Sequence, residues 1–600
     1  MAAKGLSANQ IITASACILI CTSMALGVGL TYGLRGNKAS DTPSPFTPSA
    51  YKLFSLYAVA TETVACSKIG KDIIKKYGSV VDSAIASMLC VGVVSAHSNG
   101  IGGGHVAIIY AKPNNGTKKE LVTLIARERA PKKANQTMFA SRSSLAGGLA
   151  AGIPGELKGY YEAWKRFGWL PWKDLFQPTI DLLENGYVIE KALASTLNKE
   201  IVASLVLNTS LVKSSLLRKT YYPNGQALRA GDTLKDQKLA ATFKKIAQSP
   251  ESFYSGDLAK TIVQEIQSEG GIITEEDLAN YQVEWKKPIE VFLNGNKKRL
   301  YSVRPPASGA VLGLMLNILK HYNFTPSSVS DDSKVLTFHR IIEAFRFAYA
   351  GRLELGDENF TNVTDLISNM TSEEFAKKLW RQIDDSKTQP PDNYRANYAP
   401  WADHGTAHLS ILAPDGSAVA MTSTINTQFG CLVKGPITGI IYNNQMDDFS
   451  SPNQSNFYGY TPSPRNFIVP GKRPMSSMVP TLILDDKDTV RFVTGASGGS
   501  RIPTTTAWVI MNSLWFNLTL GQAVDFPRLH DQLLPNITYY ESRSEPAVIE
   551  GLVKKGHTVL ADDFLIGVSQ TIRNWCRKPL EEDCIEAVSD TRKSGVPYGF

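Results

Sequence analysis

Residues 407–425, AHLSILAPDGSAVAMTSTI, alternate apolar and small polar side chains on both sides of the turn tripeptide Pro414-Asp415-Gly416. Period-two alternation marks a strand with two different faces, and a turn of this composition joins two such strands as a hairpin. With the turn centred near Asp415, paired positions sum to about 829 to 831, so Thr406 stands opposite Ser423, Thr424 or Ile425. The stretch SSMVPTLILDDKDTVRFVTGASGG, residues 476–499, reads as a second hairpin turning at Asp485–Asp488. Its pairs sum to about 973, which puts Ser476 and Ser477 at the same end as Ser497, Gly498 and Gly499. Two hairpins ending in hydroxyls and glycines predict the floor of a site.

At 600 residues the chain exceeds one ordinary core, so two or more domains, or one large domain assembled from two long pieces, are expected. The net charge of +8 is spread without Lys/Arg blocks, which argues against nucleic acid as a partner. SVVDSAIASMLCVGVV is apolar on nearly every side and predicts a buried helix, whereas HVAIIYAKPNNGTKKELVTLIARERAP predicts two strands around an Asn-Asn-Gly turn. Val335, Phe338, Ile342, Phe345 and Tyr349 recur at helical spacing. Residues 384–405 are loop-like, with Pro390, Pro391 and Pro400 excluding a regular element. No internal repeat is present.

Ile11 to Leu34 carries no charge. As a helix it covers about 36 Å, enough to span a bilayer. The expected organisation is a cytoplasmic tail (1–10), a transmembrane signal-anchor (11–34), a Pro/Ser/Thr-rich stalk (35–50) and a folded body from about Tyr51. Sequons at Asn115, Asn135, Asn208, Asn323, Asn359, Asn362, Asn369, Asn453, Asn517 and Asn536 all follow the apolar segment. They favour a single-pass type II protein with an extracellular body. Of seven cysteines, Cys17 and Cys21 lie in the anchor and five in the body. The expected pairs are Cys66 with Cys90 and Cys576 with Cys584, which leaves Cys431 unpaired.

A threonine hydroxyl needs an adjacent base, and cleavage before Thr406 would supply one as a free α-amine with pKa about 7.7 to 8.0. Gly405 would let the backbone bend for attack on its own carbonyl. Alone, a Gly-Thr pair is ordinary strand sequence. His404 and His408 would lie roughly 13 Å apart on a strand, and no HExxH or CxxC is present, so no metal is expected. Gly495 to Gly499, GASGG, matches a nucleophile elbow, which makes Ser497 a rival nucleophile, with Asp525 or Asp531 and then His557 completing a triad. The same glycines can instead offer backbone N–H groups to an oxyanion. Gly100 to Gly104 predicts close backbone packing rather than a phosphate loop. NNQMDDFSSP places Asn443, Asn444, Gln445, Asp447 and Asp448 in one polar cluster.

Together GTAHLSILAPDGSAVAMTSTIN, GIIYNNQMDDFSSP, GKRPMSSMVPT and GASGGS, with AHSNGIGGGHVAIIYA and IARERAP upstream, resemble the γ-glutamyltransferases (glutathione hydrolases) from about Cys66 to the C-terminus. The resemblance implies an α/β fold of the N-terminal-nucleophile hydrolase type, a four-layer αββα sandwich. It implies a precursor that cuts itself between Gly405 and Thr406 into a large subunit (35–405, folded from 51) and a small one (406–600), a heterodimer with no covalent link. Thr406 would attack the γ-carbonyl of glutathione or a similar γ-glutamyl compound, with Thr424 holding its hydroxyl and Gly498 and Gly499 stabilising the oxyanion. Arg127, Ser476 and Ser477 would bind the α-carboxylate, and Asp448, Asn426 and Gln445 the α-ammonium. Water, amino acids or dipeptides would accept the γ-glutamyl group, and no cofactor is implied. The family carries Glu or Gln at the Gln445 position, so this chain has the less negative variant. Cys431 would be a thiol near the site open to oxidation, and Tyr458 and Tyr460 match the family's lid region approximately.

Overall fold

In the computed structural model, Ala407–Leu412 and Ala418–Thr424 form an antiparallel hairpin in which Ala407 pairs with Ser423 and Leu412 with Ala418, a sum of 830 throughout. The turn is a three-residue loop closed by Ala413 and Ser417, with Gly416 at φ +75°, the left-handed position such loops require. The structure describes residues 46–600 apart from 209, 294–296, 396–397, 399–404, 453–461, 564–566 and 579–580. The tail, the anchor and most of the stalk, together with His404, Asn453, Tyr458 and Tyr460, lie outside the described residues. Among the described residues no helix is long and apolar enough to cross a bilayer.

The second hairpin pairs Thr481 with Thr494 and Leu484 with Val490, sums of 975 and 974 rather than 973. Asp488 at φ +58° makes its loop three residues long instead of two, and a bulge between Ile483 and Leu484 adds the further step.

One antiparallel sheet runs in the order Ala50–Phe54, Ile585–Ser589, Val568–Asn574, Val490–Thr494, Thr481–Asp485, Lys298–Ser302, Ile289–Leu293. The other runs Tyr598–Gly599, Ala58–Ala60, Ala407–Leu412, Ala418–Thr424, Gly104–Ala111, Glu120–Ala126, Glu284–Lys286. Both sheets combine strands from before and after residue 406, so Pro48–Phe600 is one unit built from two long pieces.

Three apolar clusters define the layers. Ala58, Ala60, Ile108, Leu412, Ala418 and Ala420 of the second sheet meet Leu482, Val493, Ile572 and Ala587 of the first. Outside the second sheet, Leu409, Ile411, Val419 and Met421 pack on the helix Val80–Val94, whose Ser79 and Asp82 form a capping box. Outside the first sheet, Ile483 and Phe492 pack under the helices Gly309–Leu319, Asp331–Arg352 and Ile502–Leu514. The order is helix, sheet, sheet, helix. Even-numbered residues of the first hairpin face the other sheet. Toward the turn these are apolar, but His408, Ser410 and Thr422 are polar and bond one another, so the inter-sheet layer becomes hydrophilic toward Thr406.

The disulfides are Cys66–Cys90 and Cys576–Cys584, as the sequence suggests, and neither crosses the 405/406 boundary.

Candidate active site

Thr406 and Thr424 stand one register step beyond the Ala407–Ser423 pair, and both are buried. The Thr406 hydroxyl donates to the Gly405 carbonyl oxygen at 2.6 Å, and the Thr424 hydroxyl donates to the same oxygen at 2.5 Å. The Asn426 N–H in turn donates to Thr424 Oγ1 at 2.8 Å, which fixes the direction of the Thr424 proton. Gly405 has φ +72°, and a Cβ there would lie 2.3 Å from the Asn426 carbonyl, so the bend before Thr406 requires glycine. The Gly100–Gly104 loop is indeed a close approach: a Cβ on Gly103 would lie 2.0 Å from the Thr424 carbonyl.

From Thr424 a continuous chain of contacts reaches the other sequence-derived residues. Asn426 Nδ2 donates to the Asn444 carbonyl at 3.1 Å, and Gln445 Nε2 donates to Asp448 Oδ2 at 2.5 Å. Arg127 is 1% exposed; its Nη2 pairs with Asp448 Oδ2 at 2.5 Å, and it also donates to the Pro474 and Met475 carbonyls at 2.7 and 2.8 Å. Ser476 and Ser477 follow directly. Asn426 Oδ1 and Gln445 Oε1 are buried acceptors with no hydrogen-bond partner among the described residues. A buried cation, two serine hydroxyls, a buried carboxylate and two idle amide oxygens are the donor and acceptor set that a carboxylate and an ammonium on one carbon would need.

Gly498 and Gly499, at φ +122° and +59°, open the helical run that continues through Ile502–Leu514. Backbone N–H groups at such a position favour negative charge.

The serine triad is not assembled. Ser497 donates to Glu62 Oε1 at 2.6 Å, not to an imidazole. His557 Nε2 meets His339 Nδ1 at 2.8 Å, Asp531 accepts from Thr538 and the Leu533 amide, and Asp525 accepts from the Ser49 amide. The elbow pattern arises because the strand end at Ala496–Ser497 must turn sharply into a helix. Cys431 is fully buried and burial pushes its thiol up to about 12, so the expected reactive thiol is a protonated, shielded one.

Four residues escaped the sequence reading. Lys593 Nζ donates to the Thr406 carbonyl at 2.8 Å and pairs with Glu62 Oε2 at 2.5 Å, so Glu62 links Lys593, Ser497 and the strand of Thr406. Glu128 lies 4.0 Å from Arg127, and neither of its oxygens has a hydrogen-bond partner among the described residues. Burial raises its carboxyl to about 8, with Arg127 opposing. Arg352 Nη2 donates to Ser477 Oγ at 2.7 Å. Their local sequences, TETV, RERA, AGRL and TRKSG, carry no spacing signal. Only the doubled charge of Arg127-Glu128 could have flagged one of them.

Among the described residues, one cluster elsewhere has metal-ligand chemistry: His339, Glu343 and His557. His339 Nε2–H donates to the Asp384 carbonyl, which leaves Nδ1 to accept from His557. Glu343 accepts from the Thr388 and Tyr394 hydroxyls at 2.6 Å each. These bonds tie the segment preceding the 405/406 boundary to the helix Asp331–Arg352, and the Thr388 amide, donating to the Lys555 carbonyl at 2.8 Å, ties it to the second half of the chain.

A buried threonine heading a central strand between two face-packed antiparallel sheets, under outer helical layers, defines the class of the N-terminal-nucleophile hydrolases. The Gamma-glutamyltranspeptidase family model matches residues 66–600. The chain is 41% identical to Scoloptoxin SSD14 of Scolopendra dehaani over 89% of this chain and 91% of that protein. It is 39% identical to glutathione hydrolase proenzyme 1 of Schizosaccharomyces pombe, over 90% of this chain and 84% of the relative. The crystal structure of cephalosporin acylase from Bacillus halodurans is similar at 25% identity with a TM-score of 0.78, covering 94% of this chain and 99% of that one. The chain belongs to the γ-glutamyltranspeptidase family.

Proposed function

We propose that this protein is a γ-glutamyltransferase that matures by cutting itself between Gly405 and Thr406 and then cleaves the γ-glutamyl bond of glutathione and related compounds. The observation that carries the reading is the pair of hydroxyls on the Gly405 carbonyl, one belonging to the next residue and one 2.5 Å away on the facing strand. Thr406 Oγ adds to that carbonyl carbon, Thr424 supports the oxyanion, the C–N bond breaks to an ester, and water hydrolyses the ester. The amine released is the base of the mature enzyme. Interleaved strands hold the two products together as a heterodimer, since every sheet neighbour of Ala407–Leu412 remains in place.

In turnover, Arg127 with Ser476 and Ser477 receives the donor's α-carboxylate, and Asp448 with the amide oxygens of Asn426 and Gln445 its α-ammonium. Thr406 Oγ attacks the γ-carbonyl while its amine takes the hydroxyl proton, Gly498 and Gly499 N–H groups hold the oxyanion, and the amine returns the proton to the departing amino group. Water or an amino acid or dipeptide then displaces the γ-glutamyl ester. Lys593, bonded to the Thr406 carbonyl and paired with Glu62, holds the start of the nucleophile's strand in place.

The proposal extends to a type II membrane protein anchored through residues 11–34, with a glycosylated extracellular body. The uncharged N-terminal segment supports it, as do the nine sequon asparagines within the described residues, all of them exposed. Denaturing electrophoresis with N-terminal sequencing, wild type beside Thr406→Ala, tests the core of the reading. Two wild-type fragments, the smaller beginning TAHLSIL, and an uncut variant are expected. A folded wild type that stays whole removes the base and overturns it.

A further inference from the structure

Arg352 closes the helix Asp331–Arg352 and is 1% exposed, although nothing in the reaction described above uses it. Its Nη2 donates to Ser477 Oγ at 2.7 Å, and its Nε approaches Ser308 Oγ at 3.4 Å. Ser308 Oγ donates in turn to the Ser476 carbonyl at 2.5 Å, and the Ser476 amide donates to the Pro306 carbonyl at 2.7 Å. Residues 474–477 are thus gripped from two sides: Arg127 holds the carbonyls of Pro474 and Met475, and Arg352 holds the Ser477 hydroxyl.

The chemistry of that second grip is directional. A guanidinium only donates, so Ser477 Oγ must accept from Arg352, and the serine's own O–H is turned to donate elsewhere. A donating hydroxyl is what a carboxylate requires. The cation also polarises that hydroxyl and adds a second positive charge in a place shielded from water.

We propose that Arg352 is a positioning residue for the donor's α-carboxylate, acting through Ser477 and never touching the substrate; this rests on the reading of the site as a γ-glutamyl pocket. Its partner is the carboxylate of any γ-glutamyl donor, so its removal weakens donor binding without altering the nucleophile.

The experiment is a double-mutant cycle of Arg352→Lys and Ser477→Ala, singly and together, in the full-length protein. It is scored for self-cleavage and for kcat and KM with γ-glutamyl-p-nitroanilide. A γ-aminobutyryl anilide, which lacks the α-carboxylate, serves as the second probe. Lysine keeps the charge but loses the planar fork that reaches Ser477. Each single variant is expected to self-cleave, to raise donor KM on the order of tenfold and to leave kcat within about threefold. The double variant should be no worse than the worse single one, and the decarboxylated probe should be indifferent to all three changes. KM effects that multiply in the double variant, or an equal loss on both probes, overturn the proposal. So does an Arg352→Lys chain that cleaves itself and has wild-type KM. Should Arg352→Lys fail to mature, Arg352→Gln, alone and combined with Ser477→Ala in the full-length protein, gives the same cycle. A wild type that turns over neither probe refutes the γ-glutamyl reading itself, a different result from either.

Discussion

Thr424 donates its hydroxyl to the Gly405 carbonyl oxygen at 2.5 Å, from one register step beyond the Ala407–Ser423 pair. A donor already aimed at the oxygen that gains charge costs no reorganisation when the bond is attacked. Thr424→Ala is therefore expected to slow self-cleavage by about 10²- to 10³-fold, the usual loss for one oxyanion donor, while Thr424→Ser stays near wild type. The appearance of the smaller fragment on timed gels measures this. Equal rates for the serine and alanine variants would remove Thr424 from the step.

Glu128 gives the donor pocket its own pH dependence. Burial raises its carboxyl to about 8 against the pull of Arg127, so it is neutral below that pH and negative above it. Once ionised, 4.0 Å from the arginine, it offsets the charge that attracts the donor's carboxylate. Donor KM should rise on the order of tenfold from roughly pH 7 to 9.5, the scale of one interaction of about 1.4 kcal/mol. Glu128→Gln should flatten that rise. A KM profile unchanged by the glutamine would leave the alkaline limb to some other group.

The hairpins were legible because alternation and turn chemistry are local, and a turn centred near Asp415 brackets the observed Ala407–Ser423 register to within one residue. The second hairpin shows where such reasoning fails. Asp488 adopts φ +58° and adds a loop residue, which an Asp-Asp-Lys-Asp turn does not announce. Motif residues such as Asp448 and Arg127 were found as types, but their direct ion pair joins positions 321 residues apart. Glu62, Lys593 and Arg352 were invisible for the same reason: each acts through a partner supplied by tertiary packing, and no spacing rule links Glu62 to Lys593.

Cys431 offers a cheap check on the packing around the site. The sequence places a lone thiol five residues after Asn426, but it is fully buried and burial pushes it up to about 12. A thiol in that state supplies almost no thiolate at neutral pH. Native protein should take up no Ellman reagent, and one equivalent per chain should react only after unfolding, provided that Cys17 and Cys21 are removed with the anchor. Fast labelling of the native ectodomain would mean that the loop carrying Cys431 opens.

The segment that brings Lys593 to Thr406 is anchored three residues earlier. Asp590 accepts from Arg528 at 2.7 Å, from Arg592 at 3.0 Å and from the Ser569 amide at 3.0 Å. Burial alone would raise its carboxyl, yet the two arginines prevail and hold it at about 2, below its ordinary 3.8. A carboxyl depressed on folding contributes stability that is full above about pH 3.8 and is lost as pH falls toward 2. Asp590→Asn keeps the shape and removes the charge, leaving Arg528 buried without its counter-ion at a cost of about 3 to 5 kcal/mol. Urea unfolding at pH 7 should show that loss. Between roughly pH 4 and 2, where the wild type sheds this contribution, the asparagine variant should change less, because the group that titrates there is gone. Parallel acid profiles for the two proteins would mean that other carboxyls govern the transition. A variant that folds but self-cleaves slowly would instead show that Asp590 serves the site by holding Lys593 in reach of Thr406.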